Sequence, residues 1–401
     1  MGGAETSLVE LLAALRSAEP TWELWLTTGE DGPLLDRARA LGVQAEVLPF
    51  PAAVARVGDA VTHPWTALWL TVRAGAAAVV YGRRLAKLIR RVQPRIVQTN
   101  GFKMHVLGAW AASRQAPVVW HVHDYVSTRP LVRRLLGCLA SRCAAIIANS
   151  MSVAGDVRTL LPAVPVTPIY NAVDMERFTP TGPTLDLDPL CGLPPAPEGT
   201  VRAGLVATFA RWKGQELFLE ALSRLPSQTA VRGYIIGGPI YQTGGSQWSL
   251  DELRERCSKL GLEGRVGFPG FVEDMPAAMR ALDIVVHAST RPEPFGMAIV
   301  EAMACGRAVI ASAAGGALEI IQGGENALGH RPGDAEDLAG QILRLASSES
   351  LRRRLGQAAR DAVVRRFDGR RLAEELTALY RHVSCAAPRF APGAFSPTPL
   401  R

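Results

Sequence analysis

Short apolar runs alternate with longer stretches of helical periodicity along most of the chain, the pattern of parallel α/β layers. In the first half, the runs that read as strands are 23–27, 45–49, 96–99, 118–121, 145–148 and 166–170. In the second half they are 201–209, 231–237, 266–268, 284–287, 308–311 and 327–329. Between the halves, "TPTGPTLDLDPLCGLPPAPEGT" is rich in Pro and Gly and reads as a linker over 179–200. The pattern therefore predicts two α/β domains, 1–178 and 201–368. A final amphipathic helix follows over 369–386, then a Pro-rich tail, 387–401, expected to be disordered. Between Pro51 and Arg95 lies a long, largely helical insert.

The stretch "RPEPFGMAIVEAMACGRAVIASAAGGALEII", 291–321, holds the densest chemistry. Its spacing predicts a strand, a loop, a helix from Gly296 to Ala304, a stop at Gly306 and a second strand. Glu293 lies in the loop and Glu301 inside the apolar helix. Either one alone reads as an ordinary surface charge. A carboxylate in a buried apolar segment, however, costs free energy unless it accepts hydrogen bonds. The helix start at Phe295, Gly296 and Met297 offers free N–H groups and the positive end of the helix dipole, which suit a phosphate. About six helical residues, ~9 Å, separate that start from Glu301. A ligand with a diphosphate in its middle would meet all three features: a sugar at Glu293, the diphosphate at the helix start, ribose hydroxyls at Glu301.

Two other strand ends carry polar groups. Lys213 and Gly214 precede a helix that begins near Gln215, so an ammonium and backbone N–H groups converge on a second phosphate position. A first-half strand ends in His121-Val122-His123-Asp124, where alternation puts both imidazoles on one side. Strand carboxyl ends line the crevice of open α/β folds.

These segments together resemble the retaining GT-B glycosyltransferases of family 4, whose donor motif is a Glu, seven residues and a second Glu. "EPFG", "EAMACG", "GG-A-LE", "IYNAVDMERFTP" and Lys213-Gly214 carry the likeness over nearly the whole chain. The resemblance implies two Rossmann-like domains facing across a cleft, with a nucleotide sugar on the second domain and an acceptor on the first. It implies that His123 and Glu293 lie at the transferred sugar. Arg211, Lys213, Phe271, Phe295, Gly296, Met297 and Glu301 would bind the donor, Phe271 through backbone groups near the base. Asn171 and Asp174 would be hinge residues, and the last helix would cross back onto the first domain.

The sequence departs from the family in two places. Ala207-Thr208 occupies the usual Gly-Arg place, which leaves Arg211 to reach the diphosphate instead. The Gly loop of the acceptor cleft, Gly2-Gly3, stands at the very start, so the family's first strand is expected to be missing and the protein to be unstable without it.

Composition refines the picture. Apolar residues make up 48% and charged residues 20%, as in a soluble globular protein. Six cysteines show no C-x-x-C spacing, so neither disulfides nor a metal site is expected; a cytoplasmic setting follows. No cofactor is expected beyond the substrate nucleotide sugar. The longest weakly charged run, 64–81, has Arg73 at its centre, so no membrane span is expected.

Of the +7 net charge, much lies between Ala60 and Gly155, where thirteen Lys/Arg face one acid, Asp124. The insert sets Arg83, Arg84, Lys87, Arg90 and Arg91 beside Trp and Leu. That suits a helix on the anionic inner face of a membrane, and equally a helix packed on the sheet with a solvated basic face. Nucleic acid is not expected, since no aromatic reading motif accompanies the charge. The expected partners are a nucleotide-sugar donor and a glycan or lipid-linked acceptor. A degenerate nucleotide-sugar-binding protein or a sugar-nucleotide epimerase on the same fold are the rival readings.

Overall fold

The fold comes from a computed structural model that describes residues 2–55, 64–112, 115–239 and 245–386. All twelve expected strands form, shifted by a few residues at their ends, and every named pair is parallel. In the first half these are β1 (Trp25–Thr28), β2 (Gln44–Val47), β3 (Val97–Asn100), β4 (Val118–Val122), β5 (Cys143–Ala148) and β6 (Val166–Pro168). In the second half they are β7 (Val201–Val206), β8 (Val231–Ile236), β9 (Val266–Gly270), β10 (Ile284–His287), β11 (Ala308–Ser312) and β12 (Leu328–His330).

The second-half strands make one six-stranded sheet, ordered β12-β11-β10-β7-β8-β9. β8 and β10 are buried along their whole length, which is why they read as continuous apolar runs rather than alternating ones. Helices cover both faces. On one side Leu217, Phe218 and Leu222 pack with Leu338 and Ile342, and on the other Ile299, Val300 and Met303 pack with Val363 and Phe367.

The first-half strands fall into two sheets, β1-β2 and β3-β4-β5-β6, and β1 and β3 do not pair with each other. Among the described residues no strand precedes the first helix, Gly3–Ala18. The last helix, Gly369–Ala386, packs on that first helix. Leu372, Leu376, Tyr380 and Val383 meet Leu11, Leu12 and Leu15, and Arg381 bridges Glu19 at 2.6 Å. The C-terminal helix thus docks onto the first half, as the resemblance implies. The expected tail, 387–401, lies outside the described residues.

The Pro/Gly-rich linker is fastened to the second sheet. Its short helix Leu187–Leu190 carries Asp188, which is 1% exposed. The carboxylate accepts from Arg232 Nη1 at 2.7 Å, Tyr234 Oη at 2.6 Å, Ala196 N at 2.9 Å and Arg202 Nη2 at 3.2 Å. A buried charge survives only with this kind of full pairing.

The insert forms the helix Pro64–Val92. It buries Tyr81, Leu85, Leu88 and Ile89 in the first-half core and leaves Arg83, Arg84, Lys87, Arg90 and Arg91 exposed. Among the described residues, no helix is long and apolar enough to cross a membrane. All six cysteines are unpaired.

Candidate functional site

The carboxyl ends of β7 and β10 deliver the central cluster. Lys213 sits in the one-turn helix Arg211–Lys213 after β7, and Glu293 in the loop after β10. Gly214 lets the two loops meet: its φ is +82°, and a Cβ there would stand 1.9 Å from the Ala288 carbonyl oxygen. Lys213 Nζ lies 2.8 Å from both oxygens of Glu293. His287 Nε2 is 3.1 Å and Ser289 Oγ 2.9 Å from Glu293 Oε2. Burial alone would raise the Glu293 carboxyl, but the Lys213 ammonium and His287 hold it well below the usual carboxylate range. It is therefore ionised and a weak base, suited to accepting hydrogen bonds rather than protons.

The predicted helix forms over Met297–Ala304, with Gly296 as its N-cap. Its first turn leaves backbone N–H groups without helical partners. The side chain of Phe295 is not free for a ligand: it is buried against Tyr170 and Phe367, with ring centroids 6.1 and 5.7 Å away. The Phe295 ring thus anchors the loop in the core, where an aromatic ring gains more from packing than from facing water, and the part expected of Phe295 toward a donor is that of its backbone. Gly315 and Gly316 lie against the Glu293 loop from the other side. A Cβ on Gly315 would meet the Glu293 carbonyl at 2.5 Å and Tyr125 Oη at 2.6 Å.

Glu301 is half-buried and accepts no side-chain hydrogen bond from the described residues. Burial raises its carboxyl to about 7, partly offset by the Arg177 guanidinium. Glu10, on the first helix, faces the same region and is also raised to about 7, by burial and then by Asp174. Asp174 itself accepts from Glu176 N and Arg177 N, both at 2.9 Å, as a turn residue between the domains. Phe271 is 62% exposed and its ring edge covers Gly238, leaving a flat face beside the strand ends.

Arg211 does not reach this cluster. Its Nη2 bonds Glu252 Oε1 at 2.7 Å, and the guanidinium lies 3.8 Å over the Trp248 ring. A planar cation offered a carboxylate and an aromatic face takes both. Arg211 thus braces the 245–252 segment in this structure.

On the first domain, His121 and His123 share one side of β4 as expected, with ring centroids 4.0 Å apart. His121 is buried, matching a structural imidazole; His123 is half-buried, with Nε2 3.3 Å from Asn100 Oδ1. Burial lowers His123 to about 4, so it is neutral near pH 7. His105, unremarked in the sequence, stacks on Trp120 and bonds Thr99 Oγ1 at 2.7 Å. Gly2 caps the first helix and donates to Glu5 Oε2 at 2.7 Å, so Gly2-Gly3 is a helix start rather than a free loop.

Two contacts that sequence reasoning missed join the domains. Glu319 accepts from Met151 N at 2.8 Å and Ser152 N at 2.7 Å, the first turn of the helix Met151–Leu160 that Ser150 caps. Tyr125 Oη bonds Ser152 Oγ at 2.8 Å and donates to the Glu293 carbonyl at 3.3 Å. The first domain thus touches the loop that carries Glu293.

Comparison with known proteins decides the family. The family model for Glycosyltransferase Family 4 matches residues 1–177, and that for Glycosyl transferases group 1 matches residues 194–362. The chain belongs to the family 4 glycosyltransferases. Its fold is GT-B, two α/β domains with parallel sheets. The lipopolysaccharide core biosynthesis mannosyltransferase LpsB of Rhizobium meliloti is 31% identical over 216 residues, 54% of this chain and 60% of that protein. Mannosylfructose-phosphate synthase of Agrobacterium fabrum is 34% identical over 185 residues, 45% of this chain and 40% of that one. These matches span roughly half the length of the curated relatives. Anabaena HepE, solved in complex with UDP and glucose, is 26% identical with a TM-score of 0.76, covering 95% of this chain and 96% of its own.

Proposed function

We propose that this protein moves a sugar from a nucleotide-diphosphate donor to a hydroxyl of a glycan or lipid-linked acceptor, in the cleft between its domains and with retention at the anomeric carbon. The observation that carries the reading is the set of groups around the 297–304 helix start. An anionic Glu293 with acceptor capacity left on Oε1 stands on one side, an unpartnered Glu301 carboxyl on the other, and open N–H groups between them.

In this reading the sugar hydroxyls meet Glu293, the diphosphate meets the helix start, and the ribose meets Glu301. Lys213 has three N–H donors and spends two on Glu293, leaving one for a phosphate oxygen. The bond from the anomeric carbon to the diphosphate breaks, the acceptor oxygen bonds that carbon, and its proton passes to the departing phosphate. Glu293 is too weak a base to take it. Fixed dipoles and Lys213 carry the developing charge, so the reaction is assigned no metal. Neutral His123 lines the acceptor side. Phe271 offers a face to the base. HepE was crystallised with UDP-glucose, and LpsB is a mannosyltransferase, which support a nucleotide-sugar donor and a role in surface polysaccharide or glycolipid synthesis.

A cytoplasmic protein touching an anionic membrane fits the first domain. Val79, Val80, Leu131 and Leu135 are exposed beside Arg83, Arg84, Arg133 and Arg134. Sedimentation with vesicles rich in anionic lipid, and none with neutral vesicles, is the expected result.

One second reading has an observation behind it. Arg211 is engaged by Glu252, and Thr208 stands where the family has Arg, which would suit a protein that binds a nucleotide sugar without transferring it. Analysis of the product separates the two. With a labelled donor and lipid-linked or glycan acceptors, the transferase reading predicts a new glycosidic linkage of unchanged anomeric configuration. Donor binding with no linked product under any acceptor refutes it.

A further inference from the structure

We propose that His287 and Ser289 are positioning residues for Glu293. They hold one of its carboxylate oxygens so that the other faces the hydroxyls of the transferred sugar. This rests on the donor-site reading above.

The two residues follow one another on the same side of the end of β10, and both are buried. Glu293 Oε2 receives three donors: Lys213 Nζ at 2.8 Å, Ser289 Oγ at 2.9 Å and His287 Nε2 at 3.1 Å. Among the described residues Glu293 Oε1 receives only Lys213 Nζ, at 2.8 Å. An ionised carboxylate has acceptor sites on both oxygens, so the remaining capacity lies on Oε1. The network thus decides which oxygen addresses a ligand.

The hydrogen positions follow from the neighbours. His287 Nε2 faces a carboxylate oxygen and, at 3.0 Å, the Ser289 oxygen. With the ring proton on Nε2 it reaches both oxygens, and the Ser289 hydroxyl proton goes to Oε2. Nδ1 is then a bare acceptor, and it is buried with no partner among the described residues.

This is not a nucleophile relay. In a Ser-His-acid relay the serine and the acid bond opposite ring nitrogens; here both lie at Nε2, and Ser289 is fully buried. The strand end is itself braced. Ser312 Oγ donates to the Ser289 carbonyl at 2.7 Å, and His330 Nε2 lies 3.2 Å from the His287 carbonyl. A buried, braced imidazole whose Nε2 is turned to the Glu293 carboxylate serves by fixing Glu293.

Two measurements test this on the full chain. In the first, ring 15N spectra of histidine-labelled protein, assigned by loss of the signal in His287→Gln, are expected to show His287 protonated at Nε2. A proton on Nδ1 overturns the proposal whether or not the protein transfers sugar. The second uses a nucleotide sugar that the wild type turns over. His287→Leu and Ser289→Ala are expected to lower kcat about 10- to 100-fold, the effect of losing a hydrogen bond to a charged group. The free nucleoside diphosphate should bind as before, because Glu293 addresses the sugar. His287→Gln, whose amide N–H takes the place of Nε2–H, is expected to restore most of the loss. Equal activity of the Leu and Gln variants, or a parallel loss of nucleotide affinity, overturns the proposal. If the wild type turns over no donor, the transferase reading falls, while the ring spectrum still decides how His287 meets Glu293.

Discussion

Glu301 offers the most direct link between a side chain and a measurable affinity. Its carboxyl is raised to about 7, chiefly by burial and partly offset by Arg177, and Glu10 is a charged neighbour. To hold ribose hydroxyls it must accept hydrogen bonds on both oxygens, which requires the ionised form. With a value near 7, roughly nine tenths is ionised at pH 8 and roughly one tenth at pH 6, so donor affinity should fall about tenfold between them. A nucleotide sugar is the right probe, since its diesterified diphosphate carries no titrating proton in this range. Glu301→Gln should cost about 1.5–3 kcal/mol at pH 8, or roughly 10- to 150-fold in Kd, and flatten the pH profile. Glu10→Gln is the control: it removes a neighbouring negative charge, so the Glu301 midpoint should move down while the profile persists. Calorimetric titration from pH 5.5 to 8.5 reads all three proteins. A wild-type affinity independent of pH, or a Gln variant that keeps the slope, refutes the ribose assignment.

Other consequences follow from the same geometry. Asp188→Asn leaves Arg232 buried without its counter-charge and should destabilise by about 3–5 kcal/mol in denaturant titrations. Burial alone would raise the Asp188 carboxyl, but its hydrogen bonds from Tyr234 and Arg232 hold it well below its ordinary value. The stability it contributes is thus complete above about pH 5 and lost as pH falls toward the folded-state value, a loss the Asn variant should not show. Glu319→Ala removes both N–H bonds to Met151 and Ser152 and should weaken domain closure by about 1–2 kcal/mol. Spin-label distances between the domains should lengthen, and an unchanged distribution contradicts this. Gly214→Ala forces a Cβ to 1.9 Å from the Ala288 carbonyl, so nucleotide binding and thermal stability should both drop; a variant with wild-type values shows that the two loops do not meet as described.

Much of this was legible in the chain because the signals are local. Parallel strands buried on both faces read as apolar runs, and all twelve were found where the runs lie. Glu293 and Glu301 stood out because charge is expensive in such surroundings. Lys213 was legible as a strand-end cation, though not that it would bond Glu293, eighty residues away in sequence.

What the chain did not show has one physical cause: the deciding partner is distant in sequence. The contacts of Arg211 with Glu252 and Trp248, and of the Phe295 ring with Tyr170 and Phe367, are of this kind. Glu319 and Tyr125 carry no local sign of their role, because each meets a residue 168 positions away only once the domains come together. Glu10 likewise meets Glu301 only in the fold. The division of the first-half strands into two sheets likewise depends on which strands meet, and periodicity does not record that.

The measurement that bears most directly on the central claim is nucleotide release from a panel of UDP-, GDP- and ADP-sugars, with Glu301→Ala as the control. Release from one donor that falls at least about tenfold in the variant is the predicted result. Equal release by wild type and variant, or binding of a donor with no turnover whatever acceptor is supplied, contradicts it.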